Sequence, residues 1–309
     1  MIRSSLPTSL LSSHIPALSS FLHAPDSLLA PNLHHPSLLT PYTQCWRNKY
    51  GHVSTPSSAS IVLRPSSPSE ISKILAYANT HSLKIIPQGG NTSLVGGATP
   101  PSPQSANLIL SLSRLSKIHA INTSSNYIHC QSGVLLHNLQ TAAATAEPPA
   151  HFPLSLGSSG SCQIGGNVST NAGGEFFSRY GSITSNLLGL TAILPTGETL
   201  DLHNTNPKNS AGFSLANLFV GSEGTLGVIT DVCMKLHPFP HKATALLTLP
   251  RENAVDAGEE RAGGTSRANS ALGAAQTLGI CSSFALAQFH YLFARLRQST
   301  RISVLCPHN

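Results

Sequence analysis

Hydrophobic and polar positions predict short strands and helices from about residue 61 to residue 240. Apolar runs rich in β-branched residues indicate strands, and apolar side chains every three or four positions indicate helices. Ile61–Leu63 and Leu83–Ile86 are the first two predicted strands. Between them, Ser67, Pro68 and Glu70 predict a helix start, because serine caps a first turn and proline fits its first position. Together these segments predict a βαβ unit with a right-handed crossover.

The middle of the chain continues the same pattern. Two of its strands flank Pro195-Thr196-Gly197 and predict a hairpin. We expect ordered structure to begin near Ile61, and the pattern changes beyond His241, where alanine, arginine, serine and glycine dominate. The remaining predicted strands are Leu108–Leu112, Tyr127–Gln131, Leu188–Leu194, Thr199–Leu202 and Val228–Leu236, and the predicted helices are Val134–Ala146 and Ser214–Phe219.

Three glycine-rich segments interrupt this pattern: Gln88–Gly97, Gly157–Gly174 and Gly221–Thr230. The second contains no charged residue, and its composition predicts little helix and little core. Glycine lets a ligand approach the main chain, and successive N–H groups can bind anions. A tight turn is the alternative for the first segment, and a flexible linker is the alternative for the second. We interpret all three as parts of one site for a long polar ligand.

Charge and cysteine content narrow the classes of protein. Only 10% of the 309 residues are charged, the net charge is +6, and the basic residues are scattered singly, which disfavours nucleic acid as a partner. Six cysteines without paired spacing favour reduced thiols inside a cell. No apolar run is long enough to predict a transmembrane segment.

Single histidines and the amino-terminal segment carry weaker signals. We interpret His119, His129, His137 and His151 as surface or hydrogen-bonded side chains, and we predict no metal site. Residues 1–24 are rich in serine and contain no acidic residue, which is typical of a mitochondrial transit peptide. A disordered tail, with a cytoplasmic location, is the alternative.

Four segments in order resemble the FAD-binding domain of the FAD-linked oxidases, the vanillyl-alcohol-oxidase or p-cresol-methylhydroxylase (PCMH) type: Ile86–Thr92, Gly160–Gly174, Arg179–Gly181 and Gly221–Thr230. Within this family the D-2-hydroxyglutarate dehydrogenases are the most similar, followed by cytochrome-linked D-lactate dehydrogenases. The resemblance implies an α+β fold of two lobes with FAD between them. The small lobe would contain the βαβ unit, and the larger lobe would contain an antiparallel sheet.

The resemblance also implies which residues hold FAD. Some relatives attach the flavin through a histidine of the first loop, but Asn91 follows the glycine pair here, so we expect non-covalent FAD. The implied residues are Pro87, Gly89, Gly90, Asn91, Thr92, Ser93 and Gly97 on the pyrophosphate side, Gly160, Ser161, Ile164, Gly165, Gly166, Asn167, Thr170, Asn171 and Ala172 along the ribityl chain and ring, and Gly224, Gly227, Val228 and Ile229 near the adenine and pyrophosphate.

The implied reaction is the oxidation of a D-2-hydroxy acid, which we expect to be D-2-hydroxyglutarate. A hydride passes from C2 to flavin N5 while a base takes the hydroxyl proton, and an electron-transfer flavoprotein or a cytochrome is the expected acceptor. Nothing in residues 243–309 resembles the family's substrate-binding cap, so the sequence names no catalytic residue. We therefore expect a targeting or disordered segment at 1–40, the FAD-binding domain at 41–240 and a divergent tail at 241–309 in place of the cap.

Three alternatives remain. The chain is an FAD-binding remnant without turnover, or it is a relative of the cytochrome-linked D-lactate dehydrogenases. A protein of another class would use the glycine loops only as a scaffold for a partner, with no cofactor.

Overall fold

The computed structural model describes residues 11–30, 34–45, 60–101 and 107–239. The prediction of a divergent tail at 241–309 lies outside the described residues. Two β-sheets, each packed with helices, account for most of the described structure.

The small lobe is built on a four-stranded sheet with the order β1-β2-β4-β3. Strands β2 and β3 both pair parallel to β4, which lies between them, and β1 pairs antiparallel to β2. All residues of β2 and β4 are buried, as is typical of parallel strands covered on both faces. The elements are α1 (Ile15–Ser20), β1 (Leu28–Leu29), α2 (Pro36–Thr43), β2 (Ile61–Leu63), α3 (Pro68–Thr80), β3 (Ile85–Gln88) and β4 (Leu108–Ser111).

Helix α3 starts at the predicted cap, but its glutamate has a different partner. The Ser67 hydroxyl accepts a hydrogen bond from the Glu70 N–H. The Glu70 carboxylate accepts from the N–H and hydroxyl of Ser66, at 2.7 and 2.9 Å, and lies 2.5 Å from His23 Nδ1. Burial alone would raise the pKa of Glu70, but the hydrogen bonds from His23 and Ser66 bring it below its usual value. This buried carboxylate therefore attaches the amino-terminal segment to α3.

The expectation that order begins near Ile61 is wrong. Leu11 and Leu18 are buried in the same core cluster as Ile71 of α3, and Leu28 pairs with Leu63 across β1 and β2. The leucines that look like part of a serine-rich tail fill space beside the small sheet. Their burial supplies the hydrophobic free energy that orders this segment.

The larger lobe is built on an antiparallel sheet with the order β5-β6-β10-β8-β9. In β6 the buried residues Ile128 and Cys130 alternate with half-buried ones, so the sheet has one face toward the core and one outer face. The elements are β5 (Ile118–Asn122), β6 (Tyr127–Gln131), α4 (Leu136–Ala144), β7 (Ala150–His151), α5 (Ile164–Ser169), α6 (Phe177–Tyr180), α7 (Ile183–Asn186), β8 (Leu187–Ile193), β9 (Thr199–Leu202), α8 (Ala216–Phe219), β10 (Val228–Lys235) and β11 (His237–Pro238).

The two lobes meet along α3 and the ends of β8 and β10. Ile193 and Val228 from the larger sheet belong to the core cluster of the small lobe, and the Ser72 hydroxyl of α3 donates to the carbonyl of Gly197 in the predicted β8–β9 hairpin. The predicted α+β fold, with a small βαβ-containing lobe and a larger antiparallel lobe, is confirmed. None of the helices in the described ranges has the length and hydropathy that a bilayer-spanning segment needs.

Candidate functional site

The three glycine segments converge on one cavity between the lobes. Its walls come from the loop after β3, from helix α5 and from the loop that leads into β10. The cavity holds about 90 Å³ and adjoins a second one of about 480 Å³, and both are lined by Pro87, Gly97 and Gly224. Segments separated by more than 130 positions in sequence thus form a single concave surface.

More than half of the residues predicted to bind a cofactor line this cavity. They come from all three segments, so the predicted convergence is present in the fold. The lining residues from the prediction are Pro87, Gly89, Ser93, Gly97, Gly165, Gly166, Thr170, Gly224, Gly227, Val228 and Ile229.

Other predicted residues support the cavity from behind. Gly90 and Asn91 line a separate surface pocket next to Pro41 and Cys45. The Asn91 side-chain amide donates to the carbonyls of Pro41 and Gln44, at 3.0 and 2.7 Å. Asn91 therefore fastens the first loop to the end of helix α2. Thr92 does not line the cavity.

The second glycine segment is more regular than its composition predicts. It contains helix α5, and Ile164 and Val168 of that helix are fully buried in the larger core. The expectation of little helix and little core was wrong here, because small residues let this short helix pack closely against neighbouring backbone. The buried Asn167 side-chain amide donates to Cys162 Sγ at 3.7 Å.

The last predicted residues of this segment lie away from the cavity lining. Asn171 accepts a hydrogen bond from the Thr184 hydroxyl at 2.7 Å, and Ala172 packs against the larger core. Gly160 and Ser161 form an exposed turn. The carbonyl of Ser161 lies against Gly90, so this turn contacts the first loop.

Two glycines are needed because backbone segments approach each other closely. A Cβ atom added at Gly90 would lie 2.0 Å from the Ser161 carbonyl oxygen, and one added at Gly165 would lie 2.4 Å from Ser132 Cβ. By contrast, a Cβ at Gly166 would meet no atom within 4 Å, although Gly166 lines the cavity. Gly90 and Gly165 therefore serve packing, and Gly166 leaves space in the site.

Main-chain N–H groups give the cavity its hydrogen-bonding capacity. Several cavity-lining residues have amides that donate to no acceptor within the described part of the chain. Such groups favour an anionic ligand, because oriented N–H dipoles carry partial positive charge. These amides belong to Gly89, Ser93, Gly166, Gly224 and Gly227.

Glu223 is the one charged residue among the described cavity-lining residues. In the sequence, a carboxylate in a glycine loop suggests either an acid/base group or, as the favoured interpretation, a structural acceptor for neighbouring N–H groups. Within the described residues that carboxylate accepts no hydrogen bond, and only the Glu223 N–H is paired, with the carbonyl of Ser169. The expected structural role was wrong, because the side chain is exposed and lies beside Gly97.

Two glutamines lie within the predicted segments but were not among the residues named as cofactor-binding. The buried Gln88 amide donates to the carbonyls of Tyr42 and Ala98, at 2.8 and 2.6 Å, and holds the first loop in place. Gln163 Oε1 is buried without a hydrogen-bond partner in the described structure and lies close to Gly89. Amide side chains within glycine-rich segments were an available signal. Four further lining residues carried no such signal in the sequence: Val95, Ala98, Leu112 and Ser169.

A family model described as an FAD binding domain matches residues 59–203. The match covers a little under half of the chain. The lining of the cavity suits FAD, because its unpaired main-chain amides can bind the diphosphate. The match includes the first two glycine segments, and the third follows it in sequence.

Curated relatives of this chain are named as a dehydrogenase and a transhydrogenase of D-2-hydroxyglutarate. The zebrafish protein named mitochondrial D-2-hydroxyglutarate dehydrogenase is 45% identical over 175 residues, which cover 57% of this chain and 32% of the relative. The baker's yeast protein named D-2-hydroxyglutarate–pyruvate transhydrogenase is 39% identical over 202 residues, covering 65% and 38%. The chain thus spans about a third of the length of the curated relatives it matches.

A solved structure shows the same fold. The structure of an alkyldihydroxyacetonephosphate synthase superposes with a TM-score of 0.63 at 24% identity, covering 75% of this chain and 41% of the other. At this identity the likeness establishes the architecture of the FAD-binding domain and nothing about its substrate.

Proposed function

We propose that the chain binds FAD non-covalently in the cavity between the two lobes. The convergence of three glycine segments on one surface is the observation that carries this proposal. The predicted residues then fall into two groups. Those that line the cavity contact FAD, and those behind it, such as Asn91 and Asn167, hold the walls in position.

The diphosphate of FAD would rest on main-chain amides from different segments. The amides of Gly89 and Ser93 lie in the first loop, and those of Gly224 and Gly227 lie before β10. Amides from two sides can share the negative charge without a basic side chain, since each N–H···O⁻ bond is charge-assisted.

Non-covalent attachment is supported by the side chains of the cavity. Histidine, cysteine and tyrosine are the side chains that could form a flavin bond, and none of them occurs among the described lining residues. Asn91 occupies the position in the first loop where some relatives carry the histidine that attaches the flavin. Its side-chain amide donates to the carbonyls of Pro41 and Gln44.

The activity that these features support best is oxidation of a D-2-hydroxy acid, with D-2-hydroxyglutarate as the favoured substrate. Identity of about 40% to dehydrogenases with that substrate in their names supports this choice. FAD, when bound, supplies the hydride acceptor for C2 of the substrate. The chain's own residues bind and orient the cofactor, and their contribution is main-chain hydrogen bonding and exclusion of water by the lobe interface.

The location rests on the names of these relatives, and the electron acceptor and the domain bounds rest on the family resemblance in the sequence. We propose a mitochondrial location, an electron-transfer flavoprotein or cytochrome as electron acceptor, and an FAD-binding unit at residues 41–240, to which the ordered segment from Leu11 also contributes. Import into mitochondria would need a signal that leaves Leu11 and Leu18 in place, because both are buried in the small lobe.

Reconstitution with FAD tests the proposal in two steps. The purified chain, mixed with FAD and desalted, should keep flavin absorbance, with one FAD per chain. A precipitate of protein from hot ethanol or acid should then be colourless, which shows non-covalent binding. A folded protein that retains no flavin would overturn FAD binding and leave the scaffold alternative.

Anaerobic stopped-flow mixing of the holoprotein tests the reaction. D-2-hydroxyglutarate should bleach the flavin faster than D-lactate does, and L-2-hydroxyglutarate should have no effect. Faster bleaching with D-lactate would favour the D-lactate dehydrogenase alternative. Flavin that stays oxidised with every acid would identify an FAD-binding remnant without turnover.

A further inference from the structure

A cluster of histidines lies on the outer face of the larger sheet. His119 Nε2 is 2.9 Å from Asp231 Oδ1, and the ring centroids of His119 and His129 are 4.7 Å apart. The ring of His203 follows, with its centroid 4.4 Å from that of His129. The four residues come from β5, β6, β10 and the segment after β9, so the fold assembles what the sequence presents as isolated side chains.

Strand register explains why three of these side chains meet. His129 lies opposite Cys233 in the β6–β10 pair, and Asp231 is two positions earlier on β10. Residues two apart on a strand share one face, so Asp231 is a diagonal neighbour of His129. The β5–β6 register shifts between Ile118 and Ala120, which makes His119 the extra residue of a bulge. Bulges redirect side chains, and this one turns His119 toward Asp231.

The fourth side chain reaches the cluster because Gly189 has no side chain. A Cβ atom at Gly189 would lie 2.4 Å from the Asn204 nitrogen and 2.6 Å from the Leu202 carbonyl oxygen. The segment after β9 therefore passes close over β8 and carries His203 to His129. The His203 N–H donates to Asp201 Oδ1 at 3.0 Å, which fixes the backbone at this point.

We propose that His119, His129 and Asp231, with His203 as the fourth ligand, form a site for a divalent transition-metal ion such as Zn²⁺. One ligand atom from each of the first three residues lies within 4.8 Å of the other two. Tetrahedral bonds of about 2.0–2.1 Å place ligand atoms roughly 3.3 Å apart, so the site closes by about 1.5 Å at most. The side chain of His119 is 30% exposed and is free to make this movement.

The surroundings suit zinc chemistry. Imidazole nitrogen and carboxylate oxygen are common zinc ligands, and a bound histidine must be neutral. The hydrogen bond between His119 and Asp231 holds these two ligands side by side before the ion binds.

The site is separate from the FAD cavity and has a structural role. The cluster and the cavity lining have no residue in common. A bound ion would join β5, β6 and β10 with the segment after β9. Because it binds only the folded arrangement, it stabilises the larger lobe by an amount that grows with the logarithm of its concentration above Kd.

Titration calorimetry of the FAD-loaded full chain with ZnCl₂ tests the site. The wild type should bind one more equivalent of Zn²⁺ than His129→Gln or His119→Gln does. His137→Gln is the matched control, because His137 is exposed on α4 and lies outside the cluster. At a free Zn²⁺ concentration 100-fold above Kd, the melting temperature of the wild type should rise by roughly 5–10 °C. The two cluster variants should not show this rise.

Retained flavin absorbance shows that each variant is folded. If His129→Gln loses the flavin, His119→Gln, which lies on the edge strand β5, replaces it in the comparison. Co²⁺ gives an independent readout, because four-coordinate nitrogen and oxygen sites give stronger visible bands than hydrated Co²⁺. These bands should appear in the wild type and in His137→Gln and disappear in the cluster variants. Equal Zn²⁺ stoichiometry and equal melting shifts in wild type and both cluster variants would overturn the proposal, as would a loss confined to His137→Gln.

Discussion

The cavity between the lobes and the histidine cluster on the larger sheet use opposite chemistry. The cavity is lined by glycines and main-chain amides, and Glu223 is its one charged residue within the described structure. The cluster consists of three imidazoles and a carboxylate on neighbouring strands. A site made of backbone depends on close packing of loops, while a site made of side chains depends on register and protonation. Glycine substitutions should therefore weaken FAD binding in the cavity, and changes of pH should leave the affinity of the cavity for FAD unchanged.

Gly90→Ala should have the largest effect on the cavity. Its Cβ would lie 2.0 Å from the Ser161 carbonyl oxygen and 3.0 Å from Cys162 Cα, and backbone atoms cannot rotate away. The first loop and the Ser161 turn must separate, which moves the amides of Gly89 and Ser93. We expect FAD affinity to fall by about 100-fold or more, which corresponds to roughly 3 kcal/mol, as measured by quenching of flavin fluorescence.

Gly157→Ala is the matched control for Gly90→Ala. Gly157 is exposed and has no atom within 4 Å of an added Cβ, so FAD affinity should stay within about twofold of the wild type, less than 0.5 kcal/mol. Wild-type affinity in Gly90→Ala would contradict the packing role of this glycine.

The neighbouring substitutions Gly165→Ala and Gly166→Ala should separate packing from ligand space. Alanine at 165 would press on Ser132 Cβ at 2.4 Å, and such overpacking costs about 1–3 kcal/mol of unfolding free energy. Alanine at 166 meets no atom within 4 Å and favours the helix, so the melting temperature should not fall. FAD affinity of Gly166→Ala should drop by about 10-fold, which is about 1.4 kcal/mol.

Thermal unfolding without FAD and FAD titration give the two readouts for this pair. The expected result is a loss of stability in Gly165→Ala and a loss of affinity in Gly166→Ala at preserved stability. Equal FAD affinity in Gly166→Ala and the wild type would show that Gly166 does not face the cofactor.

Glu223→Gln should improve FAD binding slightly. The Glu223 carboxylate lies among amides that would bind a diphosphate, so removing its charge removes a repulsion. The side chain is exposed, and exposed charge interactions amount to about 0.2–1 kcal/mol, or roughly 1.5- to 5-fold in affinity. The gain should shrink as salt is raised. A loss of affinity would instead assign this carboxylate to a hydrogen bond with FAD.

These contacts also show what the sequence could predict. The β6 and β10 strands, the β8–β9 hairpin and the start of α3 follow from periodicity and turn residues, and each lies within one position of its prediction. The order before Ile61 was missed, because Leu11 and Leu18 are buried in a core cluster with residues of α3 and of the small sheet that lie far away in sequence. Tertiary burial outweighs a tail-like local composition.

Within the site, the sequence identified which segments converge but not which face of each residue meets the cavity. Gly165 and Gly166 are adjacent and alike in sequence, and only the contacts with Ser132 distinguish them. The histidine cluster was missed for the same reason. A register shift next to His119 and a close backbone crossing at Gly189 decide its geometry, and neither has a signature in local sequence.

The smallest expected effect is a pH dependence that separates stability from FAD binding. Burial, followed by the positive charge of Arg179, lowers the pKa of His151, and burial and nearby Lys235, His151 and Arg179 lower that of His237. Because the unfolded chain titrates near 6.5, it binds more protons than the folded chain as pH falls from 7 toward 5. The free energy of unfolding should therefore decrease over this range.

Urea unfolding of the apoprotein at pH 5, 6 and 7 measures this decrease, and His151→Gln should reduce it while the exposed His137→Gln leaves it unchanged. FAD affinity should stay constant between pH 6 and 8, because the described cavity lining contains no histidine and no cysteine. A stability that does not change with pH would show that His151 and His237 are protonated as easily in the folded chain as in the unfolded one. An FAD affinity that changes with pH in the same range as the stability would show that titratable side chains, and not main-chain amides alone, hold the cofactor.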